Sequence, residues 1–371
     1  MVYTNSDNNP FTPSFGEVPL VMAGRDVLIR EFDRSFSSPT RRPSLTTIVS
    51  GARGTGKTAL LTLVEEHAQQ RGWISVDLVS LPGLLEDAYE QSLHRAKHLL
   101  SKTEGGARLS SLGIGPVSVG ITREEVSEPS WRTRMGALID RLTQAGSGLL
   151  LTVDEITPNL DELIQLAAIY QLFVRENKRV ALLMAGLPHN TSQLLRDKSV
   201  SFLRRAENVK LGRIADFEIK KALCDTFAHS DRTISQDILD EAVELIDGFP
   251  FMMQLVGFRI WEEGQGAGLI DDVRARKGMN FAKEEMKSRI LLASYQELSS
   301  MDKKFLHTMA EDSQTSTLSE IAQRLSKTNS YATQYKNRLL EHGLIEQQGS
   351  GTLAFALPAL REFLLEHAST L

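Results

Sequence analysis

The sequence predicts a mixed α/β chain: a doubly wound parallel sheet, then an all-helical unit, then a small C-terminal domain of three helices and a two-stranded wing. Three observations predict it. Between residues 45 and 213, short apolar runs of strand length alternate with segments of helical periodicity, the pattern of βα units that build a parallel sheet. From Asp216 to about residue 293 the periodicity is helical only. From residue 296 onward, three helical segments precede two short strand-like runs on either side of Gly349-Ser350-Gly351.

A chain of 371 residues is too long for one hydrophobic core and divides into two or three domains. Its 41% hydrophobic and 24% charged residues are those of an ordinary globular protein. A net charge of −5 gives no global basic field of the kind that draws nucleic acid or membrane. The single cysteine, Cys224, excludes an internal disulfide framework and fits a reducing compartment. On a helical segment it reads as a small apolar filler. No run approaches the ~20 apolar residues of a membrane span. Met1 to Pro19 lacks the basic start and apolar centre of a secretion signal, so a cytoplasmic location is expected.

The first twenty residues read as extended, because Pro10, Pro13 and Pro19 discourage helix. Phe11 and Phe15 stand out there, and either lie over a bound base or dock on the domain surface. Gly24-Arg25-Asp26 opens a helix to about Phe36. The central stretch follows: Leu45 to Ser50 reads as a strand, and Gly51-Ala52-Arg53-Gly54-Thr55-Gly56-Lys57-Thr58 fits G-x-x-x-x-G-K-T, with Ala59 continuing into a helix. Strand, glycine turn and helix together make a phosphate-binding loop. The glycines let backbone N–H groups converge on phosphate oxygens, and the helix start adds its positive end. Lys57 supplies a point charge and the Thr58 hydroxyl a ligand for Mg²⁺.

Trp73 to Val79 alternates as a strand, Leu81-Pro82-Gly83 breaks it, and a helix runs to about Leu100. Residues 101–129, rich in glycine and serine, read as a glycine-rich hairpin inserted at the surface. After a helix over Trp131 to Gln144, Gly148 to Val153 is wholly apolar, as a central parallel strand covered on both faces must be. It ends in Asp154-Glu155, at the sheet edge where open α/β sheets bind ligands. Asp154 is assigned to Mg²⁺ and Glu155 to polarising the attacking water. A helix over Leu160 to Glu176 and a buried strand over Arg179 to Gly186 follow. Leu187-Pro188 reads as its terminator, with a short helical turn from Ser192.

Helices near 216–229, 235–247 and 250–263 form the second unit, Gly264 to Gly268 reads as a flexible break, and about 271–293 is helical. The domain boundaries are therefore 1–213, 214–295 and 296–371. In the last of these, Thr317-Leu318-Ser319-Glu320 is a capping box on the second of three helices. Helix, helix, helix and wing is the order of a winged helix-turn-helix. The segment carries seven Lys or Arg against nine Asp or Glu, which is not a DNA-binding balance. Its third helix is locally basic, with Lys327, Lys336 and Arg338 against Glu341. With Tyr331 beside them these residues suit phosphates and base edges, and they suit an exposed protein-contact helix as well.

Taken together, the phosphate loop Gly51–Thr58 and the strand Leu149–Glu155 resemble those of AAA+ P-loop ATPases of the origin-recognition and initiator-loader type, prokaryotic members with a C-terminal winged helix. The resemblance extends over nearly the whole chain. It implies ATP as ligand, with Gly51, Gly56, Lys57 and Thr58 on the phosphates, Lys57 and Glu155 catalytic, and Asp154 with Thr58 on Mg²⁺. Gly24-Arg25-Asp26 resembles the family's start near the adenine, placing Arg25 at the cofactor. Arg204 and Arg205 fall where the family carries an arginine finger that completes a neighbour's site in a homo-oligomer; pairing with acids of the helical lid explains them equally. Two positions depart from the family pattern. The strand tip Gly186-Leu187-Pro188 lacks a polar sensor, with His189 and Asn190 nearest, and the helix after Gly248-Phe249-Pro250 offers Gln254 in place of a sensor arginine. Two readings remain open: an ATPase acting on double-stranded DNA, and a slow nucleotide-dependent switch whose winged helix contacts a protein.

Overall fold

Five strands form one parallel sheet: β1 (Thr46–Gly51), β2 (Ile74–Val79), β3 (Leu149–Asp154), β4 (Val180–Gly186) and β5 (Glu207–Leu211), in the order β2-β3-β4-β1-β5. The computed structural model describes residues 8–14, 16–103, 129–264, 266, 268–348 and 351–367. Alternation along the strands splits the core into two layers. Ile48, Leu149, Leu151, Val153, Leu182 and Met184 face one layer, built with α3 (Leu84–Thr103), α4 (Trp131–Gln144) and α5 (Asp161–Arg175). Val49, Leu150, Ala181, Leu183 and Ala185 face the other, with α1 (Asp26–Ser37) and α2 (Lys57–Gln70). Strands buried on both faces carry no polar alternation, which is why β3 and β4 read as continuous apolar runs.

The predicted hairpin insertion over 101–129 lies almost wholly outside the described residues; α3 itself continues to Thr103. β4 ends at Gly186, as Leu187-Pro188 predicts, but the helix that follows begins before the expected Ser192. Pro188 occupies the first turn of α6 (Pro188–Arg196), where its missing N–H has no helical partner to lose.

The second unit holds α7 (Asp216–Ala228), α8 (Gln236–Ile246), α9 (Pro250–Glu263) and α10 (Asp272–Met286). It is not helical throughout: β6 (Arg232–Thr233) pairs in parallel with β7 (Gly268–Leu269), so the expected break at Gly264 to Gly268 is tied down at its end. Cys224 is exposed on α7, not a filler of the core. Phe11 is the residue that fills it, edge-on to Phe227 at 4.8 Å and packed where Gly257 leaves room. Of the two aromatics in the lead, Phe11 therefore docks; Phe15 lies outside the described residues. The helix of α10 runs on through a π-helical turn, Lys287–Leu291, into α11 (Leu292–Gln296).

The C-terminal unit contains α12 (Ser300–Ala310), β8 (Ser316–Thr317), α13 (Leu318–Arg324), α14 (Asn329–Glu341), β9 (Ile345–Gln348), β10 (Thr352–Phe355) and α15 (Leu360–Glu366). Thr317 and Glu320 form the capping box on α13. The sheet has three antiparallel strands in the order β8-β10-β9, one more than the sequence pattern displays, because a two-residue strand has no period.

Candidate nucleotide-binding site

β1 and β3 are parallel and end at the same edge of the sheet, with β4 between them. β4 finishes in Gly186, where a Cβ would stand 3.0 Å from Ile156 Cβ, so a bare tip lets the exit of β3 pass close over it. The result is that the two sequence motifs meet. Thr58 Oγ1 donates to Asp154 Oδ2 at 2.6 Å, across 96 residues of chain.

The loop curls through Gly54 and Gly56, at φ 75° and 84°, values that favour glycine. Thr55 Oγ1 donates to Ala52 O at 2.8 Å and Lys57 Nζ donates to Gly51 O at 3.0 Å and Ala52 O at 2.9 Å. Burial holds the Lys57 ammonium below its usual pKa, against the pull of Asp154 and Glu155, while Arg53 pushes the same way as burial. Phosphate oxygens would replace those two carbonyl acceptors with anionic ones, so that the ammonium trades dipoles for opposite charge. Glu155 has a left-handed backbone, φ 51°, fixed on one side by its N–H to Asp154 Oδ1 at 2.9 Å and on the other by Ile156 N–H to Ala185 O at 2.9 Å. Such a conformation costs on the order of 1–3 kcal/mol in a non-glycine residue and collects at functional sites.

Thr58 and Asp154 are hard oxygen donors held side by side. No group of three His, Cys, Asp or Glu occurs among the described residues in metal-binding range. That donor set fits Mg²⁺, which keeps waters and substrate phosphates in its shell and needs only one or two protein oxygens.

α9 roofs the loop. Phe251 N–H donates to Gly54 O at 3.3 Å, and a Cβ on Gly54 would come within 2.6 Å of Phe249 Cζ. Between roof and loop lies a cavity of about 410 Å³, in the range of small-molecule sites. Arg25, Arg53, Gly54, Thr55, Gly56, Lys57, Thr58, Ala59, Asp154 and Glu155 all line it. Gly51 and Ala52 lie behind, as acceptors for Lys57. Arg25 is held by Gly212 O at 3.2 Å; burial lowers its pKa and Glu218 opposes that. A hollow of about 510 Å³ between α1 and β5 shares Arg25 but no residue of the loop.

Other predicted residues fall elsewhere. His189 Nδ1 pairs with Glu341 of α14 at 3.1 Å and Asn190 donates to Ile156 O at 2.8 Å, so neither reaches the cavity. Gln254 lines it, with Oε1 accepting from Thr12 N–H at 3.1 Å. Arg204 and Arg205 are exposed in the turn before β5; Arg204 donates to Leu195 O at 2.8 Å, and neither pairs with an acid among the described residues. The third helix does not begin at Lys327, which lies two residues before α14 and stacks over the exposed Tyr331 of that helix at 5.3 Å; Lys336 on α14 is half-buried. Arg338 is not a free cation: it binds Asp302, fully buried, at 2.6 Å.

The C-terminal unit also touches the loop. A Cβ on Gly343 would lie 3.4 Å from Ala52 Cβ, Arg53 pairs with Glu297 at 3.6 Å, and α14 packs on α6. Phe249, Phe251 and Gly343 are site residues that sequence reasoning missed. Phenylalanine in a helix start carries no chemical signature, and only the Gly-Phe-Pro turn marked the place.

Residues 288–364 match the family model of a domain of unknown function, DUF8462; the match begins inside the π-helical turn. No curated protein matches the chain. Among solved structures, the chain is similar to the Walker-type ATPase paby2304 of Pyrococcus abyssi at 17% identity, TM-score 0.66, over 93% of this chain and 96% of that one. It is similar to the ORC2 protein of Aeropyrum pernix in ADPNP–ADP complexes at 15% identity, TM-score 0.61, over 96% and 97%. The ADP form of that protein gives 16% identity and TM-score 0.53, over 96% and 97%. At such identities the likeness is one of fold alone: a mixed α/β fold whose five-stranded parallel sheet is of the P-loop NTPase type. No helix among the described residues is long and apolar enough to cross a membrane.

Proposed function

We propose that the chain binds ATP with Mg²⁺ in the cavity under α9, hydrolyses it slowly, and uses the nucleotide state to set the position of its C-terminal unit. The observation that carries this is the Thr58–Asp154 contact beside Lys57 at one sheet edge, which supplies phosphate cradle, cation ligands and a neighbouring carboxylate in one place. Glu155 is the base for the attacking water, and Lys57 stabilises charge on the transferred group. Slow turnover is favoured by His189 and Asn190 being engaged away from the cavity.

The helix order and three-stranded sheet of the C-terminal unit support its reading as a winged helix-turn-helix, in which α14 with Tyr331 and Lys336, and Lys327 just before it, face double-stranded DNA. A protein partner for this face is favoured by one observation: α14 already packs on α6 and uses Glu341 for His189. Arg204 and Arg205, exposed and without acidic partners among the described residues, support a finger into a neighbouring copy. Calorimetric titration of MgATP tests the central reading. Wild type is expected to bind, and Lys57→Ala to lose binding while its melting curve stays that of a folded protein. Equal affinity in the two would remove the phosphate-loop assignment.

A further inference from the structure

The cavity has a wall that neither motif supplies. Arg289, Ile290, Ala293 and Ser294, from the π-helical turn Lys287–Leu291 and the α11 that follows it, line it together with the phosphate loop. A π turn holds one residue more than the α-helical ladder allows, re-aims the side chains around it, and is frequent at functional sites. Opposite, the cavity carries Arg25, Arg53 and Lys57 against Glu17, Asp154 and Glu155. From the lid side, among the described lining residues, Arg289 is the sole charged group.

We infer that Arg289 is a nucleotide ligand: it leaves Glu285 when the site fills and binds the phosphate anions. Its present partner permits the move. Arg289 Nη1 meets Glu285 Oε1 at 2.6 Å, but Glu285 Oε2 is held by Arg259, through Nε at 2.7 Å and Nη2 at 2.6 Å. When Arg289 swings away, the Glu285 charge keeps two hydrogen bonds from the Arg259 guanidinium on Oε2, so the large cost of stranding a partly buried carboxylate does not arise. Arg259 cannot serve instead, because Glu285 and Glu262 both hold it. Arg289 is also 43% exposed at its side chain, free to change rotamer. A guanidinium suits the task, since its planar fork takes two phosphate oxygens at once.

The turn has a second face. Lys287, two residues earlier, binds Glu284, Glu362 and Glu366, the last two on α15. One helical turn therefore joins the cavity to the last helix of the C-terminal unit, and a shift of Arg289 toward phosphate is felt at α15.

This inference rests on the ATP reading, and the experiment separates the two. Affinities of ATP, ADP and AMP are measured by calorimetry and competition for wild type and Arg289→Ala. The expected result is a loss of about tenfold or more for ATP, as removal of a charge-assisted contact gives, a smaller loss for ADP, and unchanged AMP. Equal ATP affinity in wild type and variant overturns the role of Arg289 and leaves the cavity reading intact. An equal loss for all three nucleotides also overturns it, because that marks a packing role. Wild type that binds none of them overturns the site itself. Arg289→Met, neutral and of similar length, covers an alanine variant that does not fold, and unchanged ATP affinity there is equally decisive.

Discussion

Two sets of charged side chains invite comparison: those under α9 and those on α14. Under α9 the partners are replaceable. Lys57 rests on two carbonyls, Thr58 on Asp154, and Arg289 on a carboxylate that Arg259 already holds. On α14 the strongest cation is committed, because Arg338 binds Asp302, whose exposure is zero. In sequence the two sets look alike, as basic residues near turns. What separates them is what a departing cation leaves behind: two carbonyls, or a carboxylate that Arg259 still holds, against a fully buried carboxylate that loses its cation.

The largest expected effect is on the replaceable side. Glu155→Gln keeps the shape of the side chain and removes the base, so MgATP stays bound while phosphate release falls by roughly 10²–10⁴. Turnover at the wild-type rate would show that the left-handed residue at the tip of β3 is not catalytic.

Next comes the committed side. Arg338→Ala strands the Asp302 carboxylate and should cost about 3 kcal/mol of stability, read by denaturant unfolding. Lys336→Ala on the same helix should leave stability within about 0.5 kcal/mol. If α14 grips duplex DNA, Lys336→Ala instead lowers the slope of log affinity against log salt by about one. A stability loss shared equally by both variants would erase the distinction drawn between them.

The smallest effect tests an exposed pair. The Arg324 guanidinium, helped by Ser316, holds the Asp312 carboxyl below its usual range. A lowered carboxylate contributes stability that is full above its unfolded pKa of about 3.9 and is lost as pH falls through the folded value. Because the pair is solvent-screened, Asp312→Asn should cost only about 0.5–1 kcal/mol at pH 7. Melting temperatures of variant and wild type should converge as the pH falls below about 4. A gap that persists in acid would assign the effect to packing.

Much of the fold was legible because its signals are local. β3 and β4 announce themselves as strands covered on both faces, and Gly51–Thr58 with Asp154-Glu155 marks the sheet edge before any contact is known. The Thr317–Glu320 box placed α13. What stayed hidden depends on pairing at a distance. Nothing in the composition of α14 distinguishes Arg338 from Lys336, since the difference is a carboxylate 36 residues earlier. The proline that stops β4 looks the same whether a loop or a helix follows, so the start of α6 at Pro188 was not legible. The π turn has no residue signature, so Arg289 read as one charge among many on a long helix. The lid contact at Gly54 is made by two phenylalanines that look like ordinary core.

Gly343 stands against Ala52, and Arg53 reaches Glu297; the C-terminal unit thus leans on the same backbone that we propose cradles phosphate. Reciprocity follows from this. Any molecule that binds better when the unit is lifted from the loop changes nucleotide affinity by some factor, and nucleotide must change that molecule's affinity by the same factor. The two residues after the first glycine of the loop, Ala52 and Arg53, are therefore a shared ledge on which two binding equilibria are weighed against each other.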